Sequence, residues 1–92
     1  MEKLTQHAAA RMQQHGINSQ IVDYLMLCGT EIHDHHGATI LYFDKQARQR
    51  LQKQYGSDRY RKVERQLDAY AVLGDDGAVR TVGHRVKRIR RH

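Results

Sequence analysis

Ala69-Tyr70-Ala71-Val72-Leu73-Gly74-Asp75-Asp76-Gly77-Ala78-Val79-Arg80-Thr81-Val82-Gly83-His84 is the stretch that decides the fold. Two runs rich in Val, Ala, Tyr and Thr flank a four-residue polar turn with Gly at both ends, which is the signature of a β-hairpin. Just upstream, two periods overlap. Val63, Leu67 and Tyr70 have helical spacing, while Val63, Leu67, Ala69, Ala71 and Leu73 also alternate as a strand does. The firm turn at 74–77 favours a strand over residues 65–73, closed against a second at 78–84. Whether 86–89 continues as an edge strand is open.

Working outward, residues 31–35 and 38–43 read as two more strands joined across His36-Gly37, with Thr39, Leu41 and Phe43 on one side and Ile40 and Tyr42 on the other. Asp44 is placed to cap a third helix over residues 45–55, with Ala47 and Leu51 facing inward. Residues 4–15 form the first helix, with Leu4, Ala8 and Met12 on one face. Asn18 or Ser19 caps a second that reaches residue 27 and carries Ile21, Val22, Leu25 and Met26 as its apolar stripe. The short link Gly16-Ile17-Asn18 makes these two a helical hairpin. The expected order is α-α-β-β-α-β-β: an α+β domain with an N-terminal helical hairpin packed on a small antiparallel sheet and one further helix between the strand pairs.

Ninety-two residues make one domain, residues 1–92, with a basic tail over about 85–92. Its core is small, and 7% aromatic content with no Trp leaves little room for an enclosed cofactor pocket, so a surface site without a cofactor is expected. Charge is uneven. Residues 1–44 hold two Lys/Arg against five Asp/Glu, whereas residues 45–92 hold fourteen against five, so the net +6 belongs to the second half. Cys28 is the only cysteine and sits among Leu25, Met26 and Leu27, as a buried thiol in a reducing cytoplasm would. No apolar run approaches a leader or a membrane span.

The basic tail is the feature most relevant to function. From Arg80 to the end there are six Lys/Arg, two His and no acid, which makes nucleic acid the leading partner. Arg80, Val82 and His84 are expected on one strand face. RNA cleavage by its own 2′-hydroxyl needs a base, an acid and cations at the phosphate. His84 suits the first two, and Arg80 and Arg85 suit the third. His7 and Arg11, i and i+4 on the first helix, form a second pair fitted to a phosphate. Lys87, Arg88, Arg90 and Arg91 are placed to clamp flanking backbone. Tyr60, within Arg59-Tyr60-Arg61-Lys62, is the tyrosine best placed to meet a base. His33-Asp34-His35-His36 reads as a polar hairpin tip rather than a metal site.

Two end motifs add a resemblance. His7-Ala8-Ala9-Ala10-Arg11-Met12 followed by His15-Gly16-Ile17-Asn18, and the closing Gly77-Ala78-Val79-Arg80-Thr81-Val82-Gly83-His84-Arg85, resemble small bacterial proteins that look like distant relatives of the RelE/ParE/BrnT toxins. The positions that carry it are His7, Arg11, Gly16, Ile17, Thr81 and Val82, with His84 and Arg85 weaker; His15 stands where a basic residue is usual. The resemblance implies a small antiparallel sheet with an N-terminal helical pair, an RNA target such as ribosome-bound mRNA, and an antitoxin partner. The resulting expectation is an endoribonuclease in which His84 and His7 share acid/base work and Arg11, Arg80 and Arg85 hold the scissile phosphate. The alternatives are a non-catalytic module binding nucleic acid or protein, and a ParE-like topoisomerase inhibitor.

Overall fold

A computed structural model of the chain describes residues 4–34 and 36–85. Helices α1 (Gln6–His15) and α2 (Ser19–Cys28) open the fold, and strands β1 (Thr30–His33) and β2 (Thr39–Tyr42) follow. Helices α3 (Lys45–Tyr55) and α4 (Ser57–Val63), then a 3-10 turn (Glu64–Gln66), lead to β3 (Ala69–Leu73) and β4 (Val79–His84). The sheet is antiparallel throughout, in the order β1-β2-β3-β4.

Helices α1, α2 and α3 each start where a short polar side chain replaces a missing backbone partner. Thr5 Oγ1 accepts from the Ala8 amide at 3.0 Å, Asn18 Oδ1 from Ile21 at 3.0 Å, and Asp44 Oδ1 from Ala47 at 2.8 Å. Asp44 also accepts from the Thr30 hydroxyl at 2.7 Å, which ties the start of α3 to the start of β1. The first helix begins at Gln6 rather than residue 4, because Leu4 makes a parallel bridge to Val79 and the Thr5 amide donates to the Val79 carbonyl. The N-terminal segment thus covers the outer edge of β4, and α1 runs from the Val79 end of that strand to the His84 end.

The register explains the core. Leu41 stands opposite Ala71, and Ala71 opposite Val82; all three are buried against the helices. Ile21, Leu25, Phe43, Leu51, Leu67 and Val79 complete that layer. On the other side of the sheet Ile40 faces Val72, and Tyr42 faces Tyr70, which faces Gly83. A Cβ at Gly83 would stand 3.0 Å from the Tyr70 ring, so any larger residue here would press that ring outward.

Two expectations require correction. The segment between the strand pairs is not one helix but α3, α4 and a 3-10 turn, and the strand expected over 65–73 begins only at Ala69. Val63 and Leu67 are buried in the helical core, so their helical spacing was the operative signal. The break between α3 and α4 falls at Gly56, whose φ of 87° and ψ of 164° lie in a region that side chains strongly disfavour. The second correction concerns β4. The register slips between Val72 and Leu73, with Thr81 opposite Val72 but Val79 opposite Leu73, which leaves Arg80 as the extra residue of a β-bulge. Arg80 therefore does not share a face with Val82 and His84.

Candidate nucleic-acid interface

His84 ends β4 opposite Ala69, which sets it beside Asp68. Its Nδ1 lies 2.7 Å from Asp68 Oδ1, and its Nε2 lies 2.9 Å from the His15 carbonyl oxygen at the end of α1. A carbonyl only accepts, and so does an ionised carboxylate, so these two contacts favour the doubly protonated, imidazolium form of the ring. Partial burial pulls its proton affinity down, but the hydrogen bonds to Asp68 and His15 and the Asp68 charge outweigh it, and the His84 pKa is raised. The His15 ring stands edge-on to the His84 ring, with centroids 6.2 Å apart. The imidazolium joins β4, the residue before β3 and the end of α1. With both ring nitrogens engaged, neither is open in this arrangement to act as a base. Neither Asp68 nor His15 was anticipated from sequence. They lie 16 and 69 positions from His84, and only strand register and the run of α1 along β4 bring them together.

The other anticipated residues are spread over the surface. Arg85 is held inward: its amide donates to the Asp68 carbonyl at 2.8 Å and its Nη2 to the Phe43 carbonyl at 3.2 Å, while its guanidinium lies 5.3 Å from the centre of the Tyr42 ring. Arg80 folds over the 74–77 turn, where Nη2 pairs with Asp76 Oδ2 at 3.1 Å. The Asp76 carboxyl is held below its ordinary value, chiefly by accepting from the Ala78 amide. His7 and Arg11 are exposed on α1. His7 precedes His15 by eight positions, roughly 12 Å along the helix at 1.5 Å per residue, so it lies far from the His84 ring. Tyr60 is half-buried against the core, with Arg61 and Lys62 exposed beside it. Lys87, Arg88, Arg90 and Arg91 lie outside the described residues, as does His35. At the β1–β2 tip, Asp34 Oδ1 accepts from the amides of His36 and Ala38, and His33 Nδ1 pairs with Thr39 Oγ1 at 3.0 Å. Among the described residues no three His, Cys, Asp or Glu side chains gather as metal ligands would.

A stronger feature lies in the layer formed by α3, α4 and the 3-10 turn. Residues 45–65 hold eight Lys/Arg (Lys45, Arg48, Arg50, Lys53, Arg59, Arg61, Lys62, Arg65) against Asp58 and Glu64, and α3 contains no acid at all. Among the described residues the ion pairs are His33–Glu31, Arg80–Asp76 and His84–Asp68, so none of these eight cations is neutralised by a carboxylate. Where they are held, neutral oxygens hold them. Arg48 donates to the Leu67 carbonyl at 3.3 Å, and Arg50 donates to the Cys28 carbonyl at 2.9 and 3.1 Å and to Thr30 Oγ1 at 3.0 Å. Lys45, Lys53, Arg61, Lys62 and Arg65 are exposed. At one end, Arg50, Lys53 and Gln54 border a shallow groove of about 360 Å³ with Leu27 and Cys28. Burial pushes the Cys28 thiol up, against the pull of Arg50, so it is a poor nucleophile. The second half of the sequence carries nine net positive charges, and the packing of α3 on α4 gathers more than half of them on one layer rather than in the tail.

No protein-family model, curated protein or solved structure matches the chain. The likeness to RelE-type toxins therefore rests on the two end motifs.

Proposed function

We propose that this protein binds RNA through the α3–α4 layer, as a binding module rather than a nuclease. The observation that carries this reading is the set of eight cations over residues 45–65 with no carboxylate partner among the described residues. An unneutralised basic surface gains free energy from phosphates chiefly by releasing their counterions. The basic residues of the tail, Lys87, Arg88, Arg90 and Arg91, add to the same charge. The order of a helical hairpin followed by an antiparallel sheet supports the RelE-like reading of the fold. That reading brings with it ribosome-bound mRNA as the RNA, an antitoxin as the protein partner, and a cytoplasmic setting. No helix among the described residues is long and apolar enough to cross a membrane.

One observation favours cleavage as a second reading: Asp68 holds His84 as an orienting carboxylate holds a catalytic histidine. To act, His84 would have to release the His15 carbonyl. Binding of a labelled RNA across a salt series, with product analysis on the same samples, separates the two. Affinity that falls roughly a thousandfold between 50 and 200 mM salt corresponds to about six phosphates neutralised. That result with uncut RNA is what the binding module predicts. Cuts that vanish in His84→Ala would establish the nuclease, and salt-insensitive binding would remove the proposal.

A further inference from the structure

Resting on the RNA-binding reading, and not on ribosome-bound mRNA as its target, we infer that the RNA this chain binds is double-stranded, held by its backbone and 2′-hydroxyls rather than by its bases. Two observations point to a duplex. The first is the placement of the aromatic rings. Single-strand readers stack bases on exposed aromatic side chains. All six Phe and Tyr residues of this chain are buried or half-buried: Tyr24 and Phe43 are in the core, Tyr42 is buried on the far face of the sheet under Arg85, and Tyr55 and Tyr60 pack against the core. Tyr70 lies against Gly83 on the far side of the sheet from the helices. The basic layer offers no fully exposed ring for an unpaired base.

The second observation is what the layer does present. The exposed face of α3 carries Gln46, Gln49, Gln52 and Lys53 at helical neighbour spacing, and α4 adds Arg61 and Lys62. Glutamine amides both donate and accept, which suits a 2′-hydroxyl; the cations suit the phosphates on either side. Shape distinguishes RNA from DNA. α3 packs between α2 and α4 instead of standing proud, so it makes part of a broad surface. Such a surface fits the wide, shallow minor groove of an A-form duplex, whereas reading base edges in the B-DNA major groove takes a helix or β-ribbon that projects into it.

The test is equilibrium binding of the full chain to three labelled probes of one sequence and about twenty base pairs or nucleotides: duplex RNA, unstructured single-stranded RNA and duplex DNA. Duplex RNA is expected to bind at least tenfold tighter than either competitor. Gln46→Ala with Gln49→Ala, two exposed positions, is expected to remove most of the preference over duplex DNA while leaving the salt dependence unchanged. Single-stranded RNA or duplex DNA binding as tightly as duplex RNA would overturn the inference and leave the RNA-binding or polyanion reading standing. Absence of binding to all three would overturn the reading itself and the inference with it.

Discussion

The two ring nitrogens of His84 both face oxygens, one on Asp68 and one on His15, and this makes the residue a charged clip between α1 and the sheet. The clip has a definite pH dependence. The folded pKa is raised above the ordinary value of 6.5, so its stabilisation is fully present below that value and is lost as pH rises through the folded value. The stability gap between the wild type and His84→Gln should therefore be wider near pH 5.5 than near pH 9, measured as denaturant midpoints. Equal gaps at both would show that the ring is not held as an imidazolium. Gly83 makes a second residue-scale prediction. Gly83→Ala puts a methyl 3.0 Å from the Tyr70 ring and should destabilise the fold by about 1–2 kcal/mol in the same assay. The strand carrying His84 was legible from sequence, but its partners were not, because contacts 16 and 69 positions apart leave no local periodic trace.

Among the elements, the two hairpins and the first two helices were legible because caps, turns and apolar periods agree there. Residues 57–68 were not, because Val63 and Leu67 fit a helix by their four-residue spacing and a strand by the alternation that follows. The helical pattern prevails because α4 and the 3-10 turn place both side chains in one core with Leu51. Leu67→Ala should cost about 2–4 kcal/mol, as a fully buried leucine does, whereas the neighbouring exposed Arg65→Ala should change stability little; thermal or denaturant unfolding of the pair checks this. Gly56→Ala should cost about 1–3 kcal/mol, because the sharp break between α3 and α4 uses a backbone conformation disfavoured for alanine. The bulge at Arg80 was hidden for a different reason. A strict alternation of two assigns every second residue to one face, and an inserted residue changes the faces without changing the composition.

At the scale of the whole molecule, the chain separates its charge. The first 44 residues are net negative, and most of the described positive charge collects on the α3–α4 layer, while Arg80, His84 and Arg85 are held in contacts within the fold. The sequence showed the charge imbalance but not its location, since a helix pair and a tail of equal charge look alike in a count. On the proposed reading, the layer is the RNA-binding surface and His84 is a structural clip. The most direct test is the salt dependence of RNA affinity for the wild type and for the exposed triple variant Lys53→Gln, Arg61→Gln, Lys62→Gln, with the RNA analysed for cuts afterwards. The expected result is a logarithmic slope shallower by roughly two to three in the variant, with intact RNA in both samples. An unchanged slope, or RNA cut by the wild type, would contradict it.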